Sequence, residues 1–514
     1  MKKIFIFILN RIPFIIFLLF YLLFSFLTYK NYGLTNDEFF VYTRGRYFYI
    51  KVRGNDPFLQ KGFAVHDRDN SDLLYNNSTY PALLYLFNHK ESYEKYHLLN
   101  LLFAIAIFYA FYEILLFVYK KPFLALIGPF LLFFTPRFLG DIPANPKDVP
   151  FATFYFITLV AIILTQKWEE KLRIFVLGIL IGLVASLRIL GFTLLIVYLV
   201  FKLLRILENK KKIILQLTQI LLESILIFFM AFLIFIVSIP YAGADPLNHT
   251  IELFKIGSSF PWYGTIPFLG KVYSAKHLTF FYLTIWIMVT TPLSFILFSG
   301  GALIFLKSKK SAQLILLILI SVFLQLLLYF FFKPNIYNGI RHYLFLIPQI
   351  ILLAAIFINE IWEKHRIKII VLTILIVNLI SITVSYIQLH PYEYVYFNEI
   401  VGGLKGANNK FELDYWGASE KEALTWLKQY LKKENIKHAN IFTCSKSYSN
   451  MYYIPEYTDV NSKMMTADYV VCQKSDFVEK AWGSQNIEQL HIVTRQTVPL
   501  QKVFHIKRKH EILK

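Results

Sequence analysis

Long apolar stretches separated by short polar connections run through most of this chain. A helix needs about 20 mostly apolar residues to cross a bilayer. Eleven segments meet or approach that length: 8–29, 97–118, 122–137, 149–165, 174–187, 189–206, 214–239, 278–306, 311–332, 343–361 and 369–388. The pattern predicts a polytopic α-helical membrane protein with about 11 transmembrane helices. The 174–206 run is too long for one crossing and is broken by Arg188. Two short helices meeting there keep the guanidinium at an interface and out of hydrocarbon.

Charge follows the same alternation. Lysine and arginine gather at Lys2-Lys3, Lys120-Lys121, 167–173, 202–212, 307–310 and 364–368. Such enrichment marks the cytoplasmic face. The opposite connections are 30–96, 138–148, Arg188, 240–277, 333–342 and everything after 389. The N-terminus is therefore expected inside and the C-terminus outside. Residues 1–29 also suit a signal peptide, but the apolar run is long and 25–29 offers no small-residue cleavage site, so a retained first helix is expected.

Composition agrees. The chain has 514 residues, is 56% hydrophobic and 18% aromatic, and has a mean hydropathy of +0.51. Its formal net charge of +20 would suggest nucleic acid in a soluble protein, but the cations sit in loops that orient membrane helices, so no nucleic-acid partner is expected. The 389–514 segment differs. Residues 419–433 read as an amphipathic helix through Ala423, Leu424, Trp426, Leu427 and Leu431, followed by strand-like runs at 439–444, 469–472 and 503–506. This predicts a membrane domain over 1–388 and a small C-terminal extracytoplasmic α/β domain over 389–514. Cys444 and Cys472 are the chain's two cysteines; one bridge in an oxidising compartment and two reduced thiols are both open.

The polar motifs cluster in the outer connections. The first begins Thr35-Asn36-Asp37-Glu38-Phe39-Phe40. Adjacent carboxylates near a low-dielectric boundary split in pKa, so one can serve as a base; equally, the pair can cap an amphipathic helix through Tyr42 and Tyr47. The second reads Arg137-Phe138-Leu139-Gly140-Asp141-Ile142-Pro143-Ala144-Asn145-Pro146-Lys147-Asp148-Val149-Pro150-Phe151. Its prolines stiffen a turn that would hold Asp141, Lys147 and Asp148 in place. The third reads Tyr337-Asn338-Gly339-Ile340-Arg341-His342-Tyr343. A guanidinium at that re-entry point can hold a phosphate bidentately or snorkel to lipid headgroups. His390-Pro391-Tyr392-Glu393-Tyr394-Val395-Tyr396-Phe397-Asn398-Glu399 and Glu412-Leu413-Asp414-Tyr415-Trp416-Gly417 mix aromatics with carboxylates, suited to a sugar site or to packing between domains. The sequence has no His-Glu-x-x-His, no paired Cys-x-x-Cys, no P-loop and no dinucleotide fingerprint.

In order, these motifs resemble the GT-C superfamily of membrane glycosyltransferases. The nearest likeness is to glycosyltransferase family 39, the dolichyl-phosphate-mannose protein mannosyltransferase-like group, which also takes in aminoarabinose lipid A transferases. The resemblance rests on Asp37-Glu38, the 145–151 run and the 337–342 run; the 390–398 stretch and 414–417 look like features of bacterial members. It implies a sugar transferred, with inversion, from a polyprenyl phosphate to a lipid, glycan or protein acceptor at the extracytoplasmic face of a bacterial inner membrane. The family's first-loop base maps to Asp37, with Glu38 as understudy, although Asn36 precedes the pair here and Phe-Phe follows it without the family's frequent histidine. Arg341, Lys147, Arg188 and Arg137, in that order, are expected to hold the departing phosphate, with Asp148, Asp141, Tyr337 and His342 completing the substrate site. No cofactor is implied with certainty; a divalent cation stays open. The alternatives are a transporter or flippase of lipid-linked sugars, which would need charge near the bilayer midplane, a polysaccharide polymerase with an arginine-rich outer loop, and a non-catalytic scaffold.

Overall fold

Apolar runs with no internal proline make the longest helices. The computed structural model describes residues 7–53, 79–89, 92–208, 213–258, 262, 264–362, 364–445, 448–457 and 464–507. Among these, six helices are long and apolar enough to cross a membrane: Tyr93–Tyr119, Asp148–Lys167, Ile189–Ile206, Ile213–Ser238, Ala312–Phe332 and Arg366–Leu389. Shorter apolar helices at Ile12–Thr28, Pro122–Phe133 and Leu346–Ile361 lie within three of the other expected segments, and Glu170–Leu187 covers a fourth. Their outward faces are bare hydrocarbon. Ile214 is 82% exposed and Ile387 77%, an arrangement that water would oppose and lipid favours. The chain is a polytopic α-helical membrane protein with a small C-terminal sheet unit.

Two breaks in the helices carry physical reasons. The helix Glu170–Leu187 stops at Arg188, whose backbone is extended, and a short 3-10 turn leads into Thr193–Glu208. The 278–306 segment, expected as one crossing, is instead Tyr282–Thr290 and Leu293–Phe305, bent by 113°. Pro292 lacks the N–H that would continue the ladder and pushes Thr291 out of helical geometry. The side-chain amide of Asn398 donates to the freed carbonyls of Met288 (2.6 Å) and Thr291 (2.7 Å), so the broken turn is satisfied by the C-terminal segment.

Alternate connections meet at opposite ends of the helices. At one end Tyr119, Ser308 and Ser311 all donate to Glu360, at 3.1, 3.0 and 2.6 Å, and Arg11 pairs with Glu113 at 2.8 Å. At the other end the 30s, 140s, 180s, 330s–340s and 410s come together. Backbones approach closely there. A Cβ on Gly33 would lie 2.0 Å from the carbonyl oxygen of Ala418, and one on Gly140 would lie 2.3 Å from the nitrogen of Tyr394. Only glycine permits these contacts.

The C-terminal segment begins with short turns laid on the helix ends and continues as the helix Glu420–Lys433, which buries Ala423, Leu424, Leu427 and Leu431. Trp426 lies at its edge, stacked on His491 at 4.5 Å. The sheet has the order β3-β4-β6-β5, with β3 (Ile441–Thr443) parallel to β4 (Tyr469–Cys472) and the other pairs antiparallel. The expected run at 503–506 is the end of β6 (Val498–Ile506). Strand β5 (Ile487–Arg495) has no counterpart among the expected runs, because Glu488, Gln489 and His491 break up its apolar positions. Outside this sheet, β1 (Thr265–Phe268) and β2 (Lys271–Ser274) form a hairpin. Cys444 and Cys472, 28 residues apart, form a disulfide across the β3–β4 end. Closing a loop of that length contributes about 3.5 kcal/mol by restricting the unfolded chain. The double variant C444S/C472S should therefore unfold its C-terminal unit at a lower temperature than the oxidised protein, as followed by differential scanning fluorimetry. Identical melting curves with and without reductant would show that the bridge contributes nothing.

Candidate active site

The site starts from a helix cap. In Thr35-x-x-Glu38 the glutamate turns back so that its Oε2 accepts the Thr35 backbone N–H at 2.8 Å, while Oε1 lies 2.9 Å from Nε2 of the buried His97. This is one half of a capping box, and it sits just before the helix Glu38–Arg53. It engages both oxygens of Glu38 and leaves Asp37 as the carboxylate facing the other loops. The Thr35 hydroxyl donates to the Ala144 carbonyl at 2.8 Å, tying the first outer loop to the second.

Asp37 meets Arg341 at 2.7 Å (Oδ2 to Nη2). The Nε of the same guanidinium lies 3.6 Å from Asp148 Oδ2, and Arg188 bonds the other oxygen of Asp148. Asp148 is fixed at its helix start by Asn145, whose side-chain oxygen accepts the Asp148 N–H at 2.9 Å. Two ion-paired carboxylates thus alternate with two guanidiniums drawn from four separate parts of the chain. Lys147 and Arg44 stand close enough to act on Asp37 electrostatically. Arg44 lies two helical turns beyond Asp37 on the same face. Among the described residues Lys147 has no ion-pair partner within 4 Å.

Aromatic rings close the Arg341 slot. Its guanidinium lies 4.3 Å from the Trp416 ring and 5.2 Å from that of Tyr337. Tyr337 in turn stacks on Trp262 at 4.4 Å and meets the edge of His342 at 4.7 Å. Arg137 and Asp141 are placed differently, beside the Tyr415-Trp416 pair. The fully buried Arg137 donates to the Tyr394 carbonyl and, at 3.1 Å, to the Tyr415 hydroxyl, with its guanidinium 5.1 Å from the Tyr415 ring. Asp141 accepts the Trp416 indole N–H at 3.2 Å and keeps its second oxygen unpartnered. Of the residues singled out from sequence, Asp37, Asp148, Arg188 and Arg341 form one connected cluster. Lys147, Tyr337 and His342 border it, Arg137 and Asp141 stand on its Trp416 side, and Glu38 turns towards His97.

Burial and charge act against each other here. Burial pushes the Asp37 carboxyl up, but the charges of Arg341, Lys147 and Arg44 outweigh it and hold the group below the usual carboxylate range, with 27% of the side chain still open. Burial draws the Arg341 guanidinium down, and Asp37 and Asp148 more than restore it. Burial lowers Lys147 to about 8, aided by Arg44 and opposed by Asp37. Burial and the cations Arg341, Arg188 and Lys147 hold His342 well below its ordinary value, as a neutral ring. Asp141 is pushed by burial to about 6, and Glu412, also by burial, to about 7.

Among the described residues three cations (Lys147, Arg188, Arg341) thus stand with two carboxylates (Asp37, Asp148). Such a grouping suits an anionic ligand with several oxygens, a phosphate above all. Among the described residues no group of three or more side chains is placed to ligate a metal. Both central carboxylates are engaged by guanidiniums. Arg44, Trp416 and Glu412 were not among the site residues expected from sequence. The spacing of Arg44 from Asp37 on one helix face was a usable signal; the 412–417 run was read as suited to a sugar site or to domain packing, but no spacing singles out Trp416 or Glu412 within it.

No family model and no curated protein matches the chain. Among solved structures the fold is similar to that of ArnT from Cupriavidus metallidurans bound to undecaprenyl phosphate. The identity is 10%, the match covers 84% of this chain and 88% of that one, and the TM-score is 0.47. The apo state of the same protein gives 10% identity, 84% and 87% coverage and a TM-score of 0.47.

The Lys147 ammonium loses its proton as pH rises through about 8, taking one positive charge from the site. Affinity for a phosphate ester should therefore fall above that pH, and Lys147→Arg should carry full affinity past pH 10. Binding of farnesyl phosphate titrated from pH 6 to 10 checks this. A flat wild-type profile would remove Lys147 from the anion site.

Proposed function

We propose that this chain is an inverting membrane glycosyltransferase of the GT-C type. It would take a sugar from a polyprenyl phosphate and pass it to a hydroxyl of a lipid, glycan or protein acceptor. The observation that carries the reading is an ion-paired, partly open Asp37 with Arg341, Arg188 and Lys147 gathered around it at the polar end of lipid-facing helices. A polyprenyl tail belongs in lipid, and its phosphate is the part that needs cations at the rim.

In this reading Asp37 takes the proton of the acceptor hydroxyl as its oxygen attacks the anomeric carbon. The bond from that carbon to the phosphate oxygen breaks, and the phosphate leaves on its polyprenyl chain, its charge met by Arg341, Arg188 and Lys147. A single displacement inverts the anomeric centre. The leaving group is already good, so no nucleotide is required. Paired with Arg341, Asp37 is a weak base. A donor phosphate competing for that guanidinium would free the carboxylate and strengthen it. The bridge between Cys444 and Cys472 supports an oxidising compartment for the C-terminal unit. With the lysine-rich connections on the opposite side, this favours a bacterial inner-membrane protein with a cytoplasmic N-terminus.

The test is transfer from a panel of radiolabelled polyprenyl-phosphate hexoses, pentoses and amino sugars in membranes. Asp37→Asn should lose at least 100-fold in turnover, within the range for removing a general base, and Arg341→Ala should lose comparably, both with the protein still inserted. Transfer by Asp37→Asn at the wild-type rate would remove the base assignment. No transfer by the wild type from any donor would sink the reading itself.

A further inference from the structure

Trp416 is the point where three loops of the site are joined. Its backbone carbonyl accepts the N–H of Asn36 at 3.0 Å, directly before Asp37. Its indole N–H donates to Asp141 at 3.2 Å, on the short helix of the second outer loop. Its ring faces the Arg341 guanidinium at 4.3 Å. The residue is 2% exposed and belongs to the C-terminal segment, after the last long apolar helix. Its neighbour Tyr415 reaches the other way: its carbonyl accepts from the Asn36 side chain at 3.3 Å, and its hydroxyl accepts from Arg137 at 3.1 Å. The dipeptide is thus wedged between Arg341 and Arg137, with rings 5.3 Å apart and tilted by 41°.

We infer that Trp416 is a positioning residue for phosphate recognition: its ring orients Arg341 while its backbone fixes the loop that carries Asp37. The C-terminal segment would then be part of the site and not an accessory to it. The physical grounds are specific. An arginine slot with one oppositely charged group on each edge still leaves the guanidinium plane free to rotate. An aromatic face removes that freedom, because a desolvated cation prefers to lie over the ring. Tyr337 supplies a second, more distant ring at 5.2 Å. The indole cannot follow Arg341 if the arginine turns, because its N–H is held by Asp141. Plain packing between domains would need neither the N–H bond nor the ring over the charge. The ligand's identity rests on the glycosyltransferase reading; the positioning does not.

The experiment uses the full-length protein in detergent, with farnesyl phosphate as the probe. Trp416→Leu should weaken its binding about 10- to 30-fold, the scale of a desolvated cation–aromatic contact. Trp416→Phe, which keeps a ring face, should restore affinity to within about 3-fold of wild type. Neither substitution should weaken binding further in an Arg341→Ala background, since the effect runs through that guanidinium. Wild-type affinity in Trp416→Leu overturns the inference, and so does an equal loss with and without Arg341, which is what packing alone would give. If Trp416→Leu does not fold, the small loss in Trp416→Phe and its disappearance with Arg341→Ala carry the same comparison. If the wild type does not bind the probe, the phosphate reading fails, and the positioning is decided by the structure of the Trp416 variant. There, Arg341 turned away from Asp37 supports it, and an undisturbed 2.7 Å ion pair overturns it.

Discussion

A guanidinium shut away at the edge of a bilayer has to be met by charge and acceptors supplied by the protein, because removing it from water costs several kcal/mol. Arg341 is 3% exposed, and its partners lie at positions 37 and 148 of the chain, with Trp416 against its face. That requirement fixes more of the architecture than any pair of packed helices does. Three connections and the start of the C-terminal segment must reach one end of the bundle. The helices between them must then cross in alternation, which returns the remaining connections to the opposite end, where Glu360 gathers its three hydroxyls. The break at Arg188 serves the same end: ending the helix there lets its side chain turn to Asp148 and not face lipid.

The two ends differ in kind. At the Glu360 end one carboxylate is matched by neutral hydroxyls, and Arg11 with Glu113 makes an even pair. Both hold helices together, as does Glu223 between Arg173 and Lys202. At the Asp37 end, among the described residues, Arg341, Arg188 and Lys147 stand with Asp37 and Asp148, and one oxygen of the buried Asp141 accepts no hydrogen bond. Buried polar groups are normally satisfied. What sets the Asp37 end apart is an ion-paired carboxylate that keeps part of its surface open to a ligand.

Much of this was legible in the sequence, and what was not has identifiable causes. Helix existence followed from apolar length alone, and the grouping of Asp37, Asp148, Arg188 and Arg341 followed from counting crossings, since alternation assigns each connection a side. The fate of Glu38 was also written locally: Thr35 stands three residues before it, the spacing of a capping box. Pro292 was visible too, but the apolar run continues on both sides of it, so length hid the 113° bend. Strand β5 escaped because its polar residues leave no alternation to read. Trp416 carries no signal in spacing or periodicity. Its importance comes from contacts with residues 275 and 75 positions away, Asp141 and Arg341.

The pairing of Asp37 with Arg341 also constrains how such a site can work. A carboxylate held below its ordinary pKa is a poor proton acceptor, so Asp37 paired with Arg341 is a weak base. It becomes active only if something takes the guanidinium's charge, and the surrounding cations select an anion for that task. In the proposed reaction the donor's phosphate meets the requirement, so donor binding and base activation are one event, and an acceptor arriving alone meets a quiet site. Water is the commonest such acceptor. A base that stays weak until the lipid phosphate is seated narrows the interval in which water can be activated, and it does so without a moving lid. In the proposed reaction the same coupling gives Asp148 a part beside Asp37. With its second carboxylate at 3.6 Å, Arg341 keeps a partner when it turns from the first, and the buried charge is never left uncompensated.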